Sequence, residues 1–298
     1  MRVTEGIIYR SVTGNLNRLR AGLQELNQQV ASGKRLVRPS DDPVGAVSAQ
    51  AVRAKLSAMD QLKRNAESWQ GWLQSTENAI TSTQRVVSRA REVAVQMSNA
   101  TNSASQRTMA AEEVNNLLEE LINLGNTRFQ GRYVFAGYRD DSDAFEVTRV
   151  NGEITAVTYA GDDNHHEMKV GAGSRLESSL TGEEVFQGSA DLFDTLIELR
   201  DSLRANDADA TAGTLDDLVN AGNNLGAKVA DVGSRLNRLD LRLSVIKDTK
   251  LAETERLSQI EDADLVEVIS ALKTKELAYE AALQATASTQ QLNLAAYL

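Results

Sequence analysis

The sequence predicts a mainly α protein: a long antiparallel coiled-coil-like helical rod built from both chain halves, with a small β-rich inserted outer domain and short terminal helices. Three observations carry that expectation. Both prolines, Pro39 and Pro43, fall in one short stretch, which leaves helix free to run through most of the chain. An apolar seven-residue spacing follows and is sustained over more than six repeats, as a coiled-coil seam requires. Between Gly131 and Gly188 the pattern changes to short aromatic and β-branched runs separated by glycine and aspartate turns.

The first helix carries Leu16, Leu19, Leu23, Leu26 and Val30 at alternating spacings of three and four, one apolar stripe. Gly33 suits its C-terminal cap, with Lys34 and Arg35 beside the last carbonyls. Pro39-Ser40-Asp41-Asp42-Pro43 then breaks the chain and restarts it. Asp42 is placed as N-cap, Pro43 at the first helical position, and Asp41 adds negative charge near the helix start. The helix that follows has two seam lines: Val52, Met59, Ala66, Leu73, Ile80, Val87 and Ala94, beside Leu62, Trp69, Thr76, Thr83, Ala90 and Met97. Alanines and threonines make this seam soft.

A turn at Asn99–Asn102 precedes a capping-box pair, Ser103 and Gln106, and a helix facing Val114, Leu117, Leu118 and Leu121 to one side. Gly125 can end it. Strands are expected at Tyr133–Ala136, Phe145–Thr148 and Ile154–Tyr159, with Asn151-Gly152 as a hairpin turn between the last two. Helix resumes near Asp191 with Leu192, Leu196, Leu199 and Leu203. After a polar break at Asn206–Thr211, the longest stripe runs through Leu215, Leu218, Gly222, Leu225, Val229, Val232, Leu236, Leu239, Leu243 and Ile246. A final helix shows Leu265, Ile269, Leu272, Tyr279 and Leu283. The layout is nested: residues 1–42 and 261–298 form terminal helices, 43–130 and 189–260 the rod, and 131–188 the insertion. Because the insertion leaves and returns near glycines, replacing residues 139–187 by a short linker is expected to leave the rod folded.

Composition narrows the function classes. At 298 residues the chain can hold more than one core, but aromatics are only 4%, which suits narrow helical seams better than aromatic-filled pockets. A net charge of -10 argues against general nucleic-acid binding. No run approaches a membrane span, and no secretory leader is expected, since Glu5 comes early. The absence of cysteine excludes disulfides and thiolate sites. Either cytosolic residence or export as an unfolded chain fits these features. Charge is uneven: residues 1–40 carry +5 and residues 261–298 carry -4. This is either chance or a sign that the two ends lie side by side.

No catalytic, cofactor or metal site emerges. His165-His166-Glu167 reads as a solvated loop, since adjacent residues on a strand point to opposite faces and would not share a metal. Asp140, Asp141 and Asp143 lack the glycine and distal glutamate of a calcium loop and read as a surface turn. Gly171-Ala172-Gly173-Ser174 lacks the lysine and helix of a phosphate loop. Trp69 and Trp72 read as packing residues rather than a ligand box. Asn15, Asn17, Asn27, Gln28, Gln290, Gln291 and Asn293 are either solvated faces or contacts between subunits.

Three segments resemble the bacterial flagellin superfamily, in its hook–filament junction branch. They are Asn15-Leu16-Asn17 leading through Ala31-Ser32-Gly33-Lys34-Arg35-Leu36 to Pro39-Ser40-Asp41-Asp42-Pro43-Val44-Gly45-Ala46; Gly131-Arg132-Tyr133-Val134-Phe135-Ala136-Gly137 with Ala144-Phe145; and Glu261-Asp262-Ala263-Asp264-Leu265 with its alanine-, glutamine- and leucine-rich final helix. Flagellins usually carry an alanine-bracketed form of the loop where this chain has prolines.

The resemblance implies a non-enzymatic structural protein of the flagellum, extracellular and exported by the type III apparatus without a cleaved signal. It would form a ring of identical subunits between a neighbouring hook-associated protein on the hook side and flagellin on the filament side. An export chaperone would assist, with no cofactor, nucleic acid or membrane insertion. The implied assembly surface is Leu16, Leu19, Leu23, Leu26, Val30, Leu265, Ile269, Leu272, Tyr279, Leu283 and Leu292, on terminal helices disordered in the monomer. Pro39, Ser40, Asp41, Asp42 and Pro43 form a structural loop. A flagellin filament subunit is the near alternative, and a non-flagellar type III-secreted coiled-coil protein a more distant one.

Overall fold

The computed structural model describes residues 2–99, 101–171, 174–177 and 179–295. They divide into two compact units, one from Met1–Met59 and Asp248–Leu298, the other Asp60–Lys247. The division falls within two long helices rather than at the proline loop where the sequence drew it. Those helices are α2 (Pro43–Met97, 55 residues) and α6 (Ala208–Glu261, 54 residues).

In the inner unit, the two seam lines read from the heptads face inward. Ala66, Leu73, Ile80, Val87, Ala90, Ala94 and Met97 of α2 are buried, as are Leu218, Leu225, Val232 and Leu239 of α6. The helices run antiparallel. Gln70 donates to Asp240 at 2.9 Å, and the Gln84 amide lies beside Gly226, so the α6 partner retreats as α2 advances. Thr76 and Thr83, fully buried, each donate to their own helix carbonyl four residues back, so the soft seam strands no hydroxyl.

α3 (Ala104–Gly125) opens with the expected capping box of Ser103 and Gln106 and packs on α5 (Leu192–Arg204), itself capped by Asp191. Two buried arginines tie the turns together. Arg107 donates to the carbonyls of Met97 and Asn99 and to the Asn206 side chain at 2.5 Å, joining the α2–α3 turn to the α5–α6 turn. Arg200 reaches the Ile154 carbonyl at 2.8 Å and Asn115 at 3.4 Å.

The insertion consists of three antiparallel pairs: β1 (Arg128–Phe129) with β2 (Arg132–Tyr133), β3 (Phe145–Val150) with β4 (Glu153–Tyr159), and β5 (Glu167–Gly171) with β6 (Ser174–Glu177). Asn151 and Gly152 both take positive φ (54° and 89°), as the expected hairpin turn between β3 and β4 demands. Tyr133–Ala136 is not the expected strand. Only Arg132–Tyr133 pairs, and the apolar run beyond is a buried turn whose Phe135 carbonyl accepts from the Gly182 amide at 2.8 Å and the Tyr159 hydroxyl at 2.9 Å. The sequence reading also passed over α4 (Gly182–Phe186), capped by Thr181.

The insertion shares its core with the helices. Phe145 lies 4.7 Å from Phe193 of α5, 5.2 Å from Phe186 and 5.4 Å from Tyr159, ring centre to ring centre, and Phe186 stands 5.2 Å from Phe135. All four phenylalanines are fully buried. Gly125 makes room: a Cβ there would sit 2.7 Å from the Phe145 ring. The expectation that residues 139–187 can be exchanged for a linker therefore fails on packing grounds, because the exchange removes Phe145, Tyr159 and Phe186 and uncovers Phe193.

In the other unit, α1 (Arg2–Ser32) packs on α7 (Leu265–Ala295). Each is 31 residues long, so the terminal helices are not the short elements expected. Lys275 of α7 lies over Gly22 of α1.

Candidate assembly surface

The two chain ends meet at a clasp built on the loop after α1 and the turn between α6 and α7. Gly33 ends α1 at φ +68°, a conformation costly for any residue with a Cβ, and its amide donates back to Gln29 at 2.8 Å. The chain then pairs antiparallel with the α6–α7 turn at Lys34 and Asp262. The amides of Arg35 and Leu36 donate to the Glu261 carbonyl at 2.7 and 3.2 Å, and Ala263 donates to the Gly33 carbonyl at 3.0 Å.

The Glu261 side chain, 2% exposed as a residue, sits between two cations. Lys34 Nζ bonds its Oε2 at 3.0 Å. Arg53 Nη2 of α2 lies 2.7 Å from Oε1, close enough to pair but off the hydrogen-bonding axis. Arg35 adds a bond to the Ile260 carbonyl at 2.8 Å. About two turns back along α6, Lys55 holds the buried Glu253. Of the two readings of the charge asymmetry, the structure selects adjacency. It does so through Lys34, which pairs with Glu261, and through the packing of α1 on α7; Arg53 lies beyond the basic stretch, and Arg18 is engaged on its own helix by Asn15 at 2.7 Å.

The proline-bracketed loop folds on its own aspartates. Asp41 accepts from the Arg38 amide at 2.9 Å. Asp42 accepts from the Gly45 amide at 2.8 Å, which is the expected cap ahead of Pro43. Pro39 and Ser40 lie exposed at its tip. Asp264, not singled out as a cap from sequence, starts α7 by accepting from the amides of Val266 and Glu267 at 2.9 and 3.2 Å.

The predicted stripe divides between the helices. Leu16, Leu19, Leu23, Leu26 and Val30 are all half-buried, as are Leu272 and Tyr279. Leu265, Ile269 and Leu283 are 43–45% exposed, and the Leu292 side chain lies outside the described residues. Val266 (81% exposed) and Leu277 (68%), not chosen from sequence, add apolar surface on other faces of α7. The missed signal is that the apolar residues of α7 are not confined to one stripe; they alternate around the helix with Glu267, Lys273, Lys275, Glu276 and Glu280. Within its unit α7 packs on α1. Asn27 bonds the Leu23 carbonyl of its own helix at 3.0 Å and Gln28 accepts from Arg38 at 3.5 Å; the side chains of Gln290, Gln291 and Asn293 lie outside the described residues.

The histidine pair is not a solvated loop. His166 is half-buried among Trp69, Trp72 and Tyr138, with its Nε2 2.9 Å from the Gly137 carbonyl and 3.3 Å from Asp140; His165 contacts the Ser179 carbonyl at 3.2 Å. Among the described residues no group of three or more carboxylates and histidines assembles in metal-holding geometry, and no helix is long and apolar enough to cross a membrane.

Long helices drawn from both chain halves, paired terminal helices and a small set of inserted hairpins define the class to which the chain belongs. The bacterial flagellin N-terminal helical region matches residues 4–140, and the flagellin C-terminal helical region matches residues 215–298. The chain belongs to the bacterial flagellin family, and it is a flagellar structural protein rather than an enzyme.

Within that family it is 28% identical to flagellar hook-associated protein 3 of Escherichia coli, over 99% of this chain and 98% of the relative. It is 23% identical to a flagellin of Listeria monocytogenes over 91% and 89%. The fold also matches the crystal structure of the flagellar junction protein FlgL from Legionella pneumophila. That match has a TM-score of 0.59 at 14% identity, over 72% of this chain and 99% of that one.

Proposed function

We propose that this chain is the structural subunit that joins the flagellar hook to the filament, assembling with copies of itself into a ring through α1 and α7. The observation that supports this most directly is the terminal helix α7, which packs on α1 yet leaves Val266, Ile269 and Leu277 exposed, apolar surface that packing against neighbouring copies would cover. The end-to-end likeness to hook-associated protein 3 favours the junction over the filament itself. In this reading a hook-associated protein adjoins the ring on the hook side and flagellin on the filament side. The chain reaches its extracellular position through the type III export apparatus with the help of a chaperone. Residues 1–42 and 261–298 act as the assembly domain, 43–130 and 189–260 as the rod, and 131–188 as the outward-facing part. Before assembly, with α7 half covered, both ends are the segments a protease trims first.

Electron microscopy of cells lacking this chain tests the assignment. Hooks without filaments, with flagellin lost to the medium, are expected. Normal filaments on those cells would overturn it. Long self-polymers formed by the purified chain alone would assign it to the filament instead.

A further inference from the structure

The inner unit holds a half-open cavity of about 310 Å³ that the assembly reading does not use. Its wall is Ser68, Trp69 and Trp72 of α2, Phe129, Gln130 and Arg132 of the first hairpin, and Asp140 and His166. We propose that this cavity binds a neutral saccharide, one hexose unit seated on the indole rings.

Three features support the proposal. Both tryptophans of the chain are there, 5.6 Å apart and inclined at 60°, with Phe129 6.2 Å from Trp72 and His166 5.9 Å from each indole. In a chain with so few aromatics, this grouping is conspicuous. Next, the polar groups alternate donor and acceptor. Arg132 Nη1 and His166 Nε2 reach the same oxygen of Asp140, Oδ2, at 3.2 and 3.3 Å, and all three residues line the cavity. Ser68 and Gln130 add a hydroxyl and an amide at the rim. Finally, the volume lies at the lower end of the roughly 300–1,000 Å³ typical of small-molecule sites.

The chemistry of the wall selects the ligand class. A cation meets Arg132 at the rim, and an anion meets Asp140. A flat base needs parallel faces to slide between, and the inclined indoles do not provide them. A pyranose has one face of C–H groups, which suits the electron-rich face of an indole, and hydroxyls around its edge that both donate and accept.

Gly71 keeps the cavity open. It lies between the two tryptophans, and a Cβ there would come 2.7 Å from the Phe129 ring. Alanine at this position, favourable to helix, displaces that ring from its seat.

The two tryptophans make fluorescence a local reporter. The full-length chain is titrated with glucose, galactose, mannose, N-acetylglucosamine and cellobiose, and with choline as a cationic comparison. A saturable change in emission is expected for at least one sugar at about millimolar concentration. Trp69→Ala, read through Trp72, and Gly71→Ala, which keeps both indoles, should each weaken it tenfold or more with unchanged circular dichroism. No saturable response to any sugar up to roughly 50 mM overturns the proposal. A response to choline alone overturns the ligand class. Unchanged affinity in both folded variants overturns the location.

Discussion

Replacing Glu261 by glutamine tests whether the clasp is an electrostatic lock or only a meeting of backbones. The carboxylate is 2% exposed, with Lys34 Nζ at 3.0 Å and Arg53 Nη2 at 2.7 Å. Glutamine keeps the volume and leaves the main-chain bonds from Arg35 and Leu36 in place, so only the charge is lost. Losing one side of a fully buried pair costs about 3–5 kcal/mol, whereas an exposed pair is worth about 0–1 kcal/mol. Here the anion is buried but the side chains of Lys34 and Arg53 are 44% and 51% exposed and regain water when released, so the loss falls between those limits, at about 2 kcal/mol. Hydrogen exchange at the amides of Arg35, Leu36 and Ala263 measures it directly, because each bonds across the clasp. A loss of about 2 kcal/mol speeds their exchange about thirtyfold if local opening governs it. Protection within about twofold of the parent would refute the lock. Equal loss at Ala160, whose amide bonds the Ala144 carbonyl in the inner unit, would show a global effect instead.

Leu19→Asp or Leu272→Asp should abolish ring assembly, scored as loss of filament attachment, while the thermal midpoint of the inner unit stays put, since both positions are only half-buried in the other unit. Phe145→Ala removes a ring in contact with Tyr159, Phe186 and Phe193. At about 3–5 kcal/mol it should lower the urea midpoint by about 1–2 M, and a negligible shift would mean the insertion does not share the core. Glu119 accepts two bonds from Arg149, at 2.7 and 2.8 Å, and that hydrogen bonding holds its carboxyl below the usual range. Its contribution is therefore present above the unfolded carboxylate range and lost as pH falls through the depressed folded value. Because the carboxyl is 39% exposed, Glu119→Gln should cost only about 0–1 kcal/mol at neutral pH and nothing in acid, read from denaturation midpoints at the two pH values.

What was legible in the sequence is what local periodicity and capping dictate. The seam from Ala66 to Met97, the Ser103–Gln106 box, the Asn151-Gly152 turn and the Asp42-Pro43 restart each depend on residues within a few positions of one another. What was not legible depends on distant partners. His166 is seated by indoles about a hundred residues earlier, so nothing near it in sequence distinguishes it from a solvated histidine. The Val134–Ala136 run looks like a strand because strand and buried turn share one apolar signature; the aromatic cluster decides between them. The stripe on α7 was drawn too narrowly, at Leu265, Ile269, Leu272, Tyr279 and Leu283. A search for one stripe passes over apolar residues on a helix whose charged residues are scattered around it rather than gathered on one face, and so missed Val266 and Leu277.

The division of the chain into an inner unit and one made of its two ends sets an order of events. Everything the inner unit needs, from Asp60 to Lys247, has emerged from a ribosome or a channel before the last helix arrives, so that unit can close early on its own contacts. The clasp cannot. Gly33 and Lys34 must wait for Glu261 to Ala263, and α1 must wait for α7, the most distant pairing the chain makes. During that interval α1 offers its leucines with no intramolecular partner at hand. Until its own last helix is complete, the α7 helices that α1 can meet belong to other copies of the chain, so the contact a chain makes last by itself is one that a second copy could make for it first.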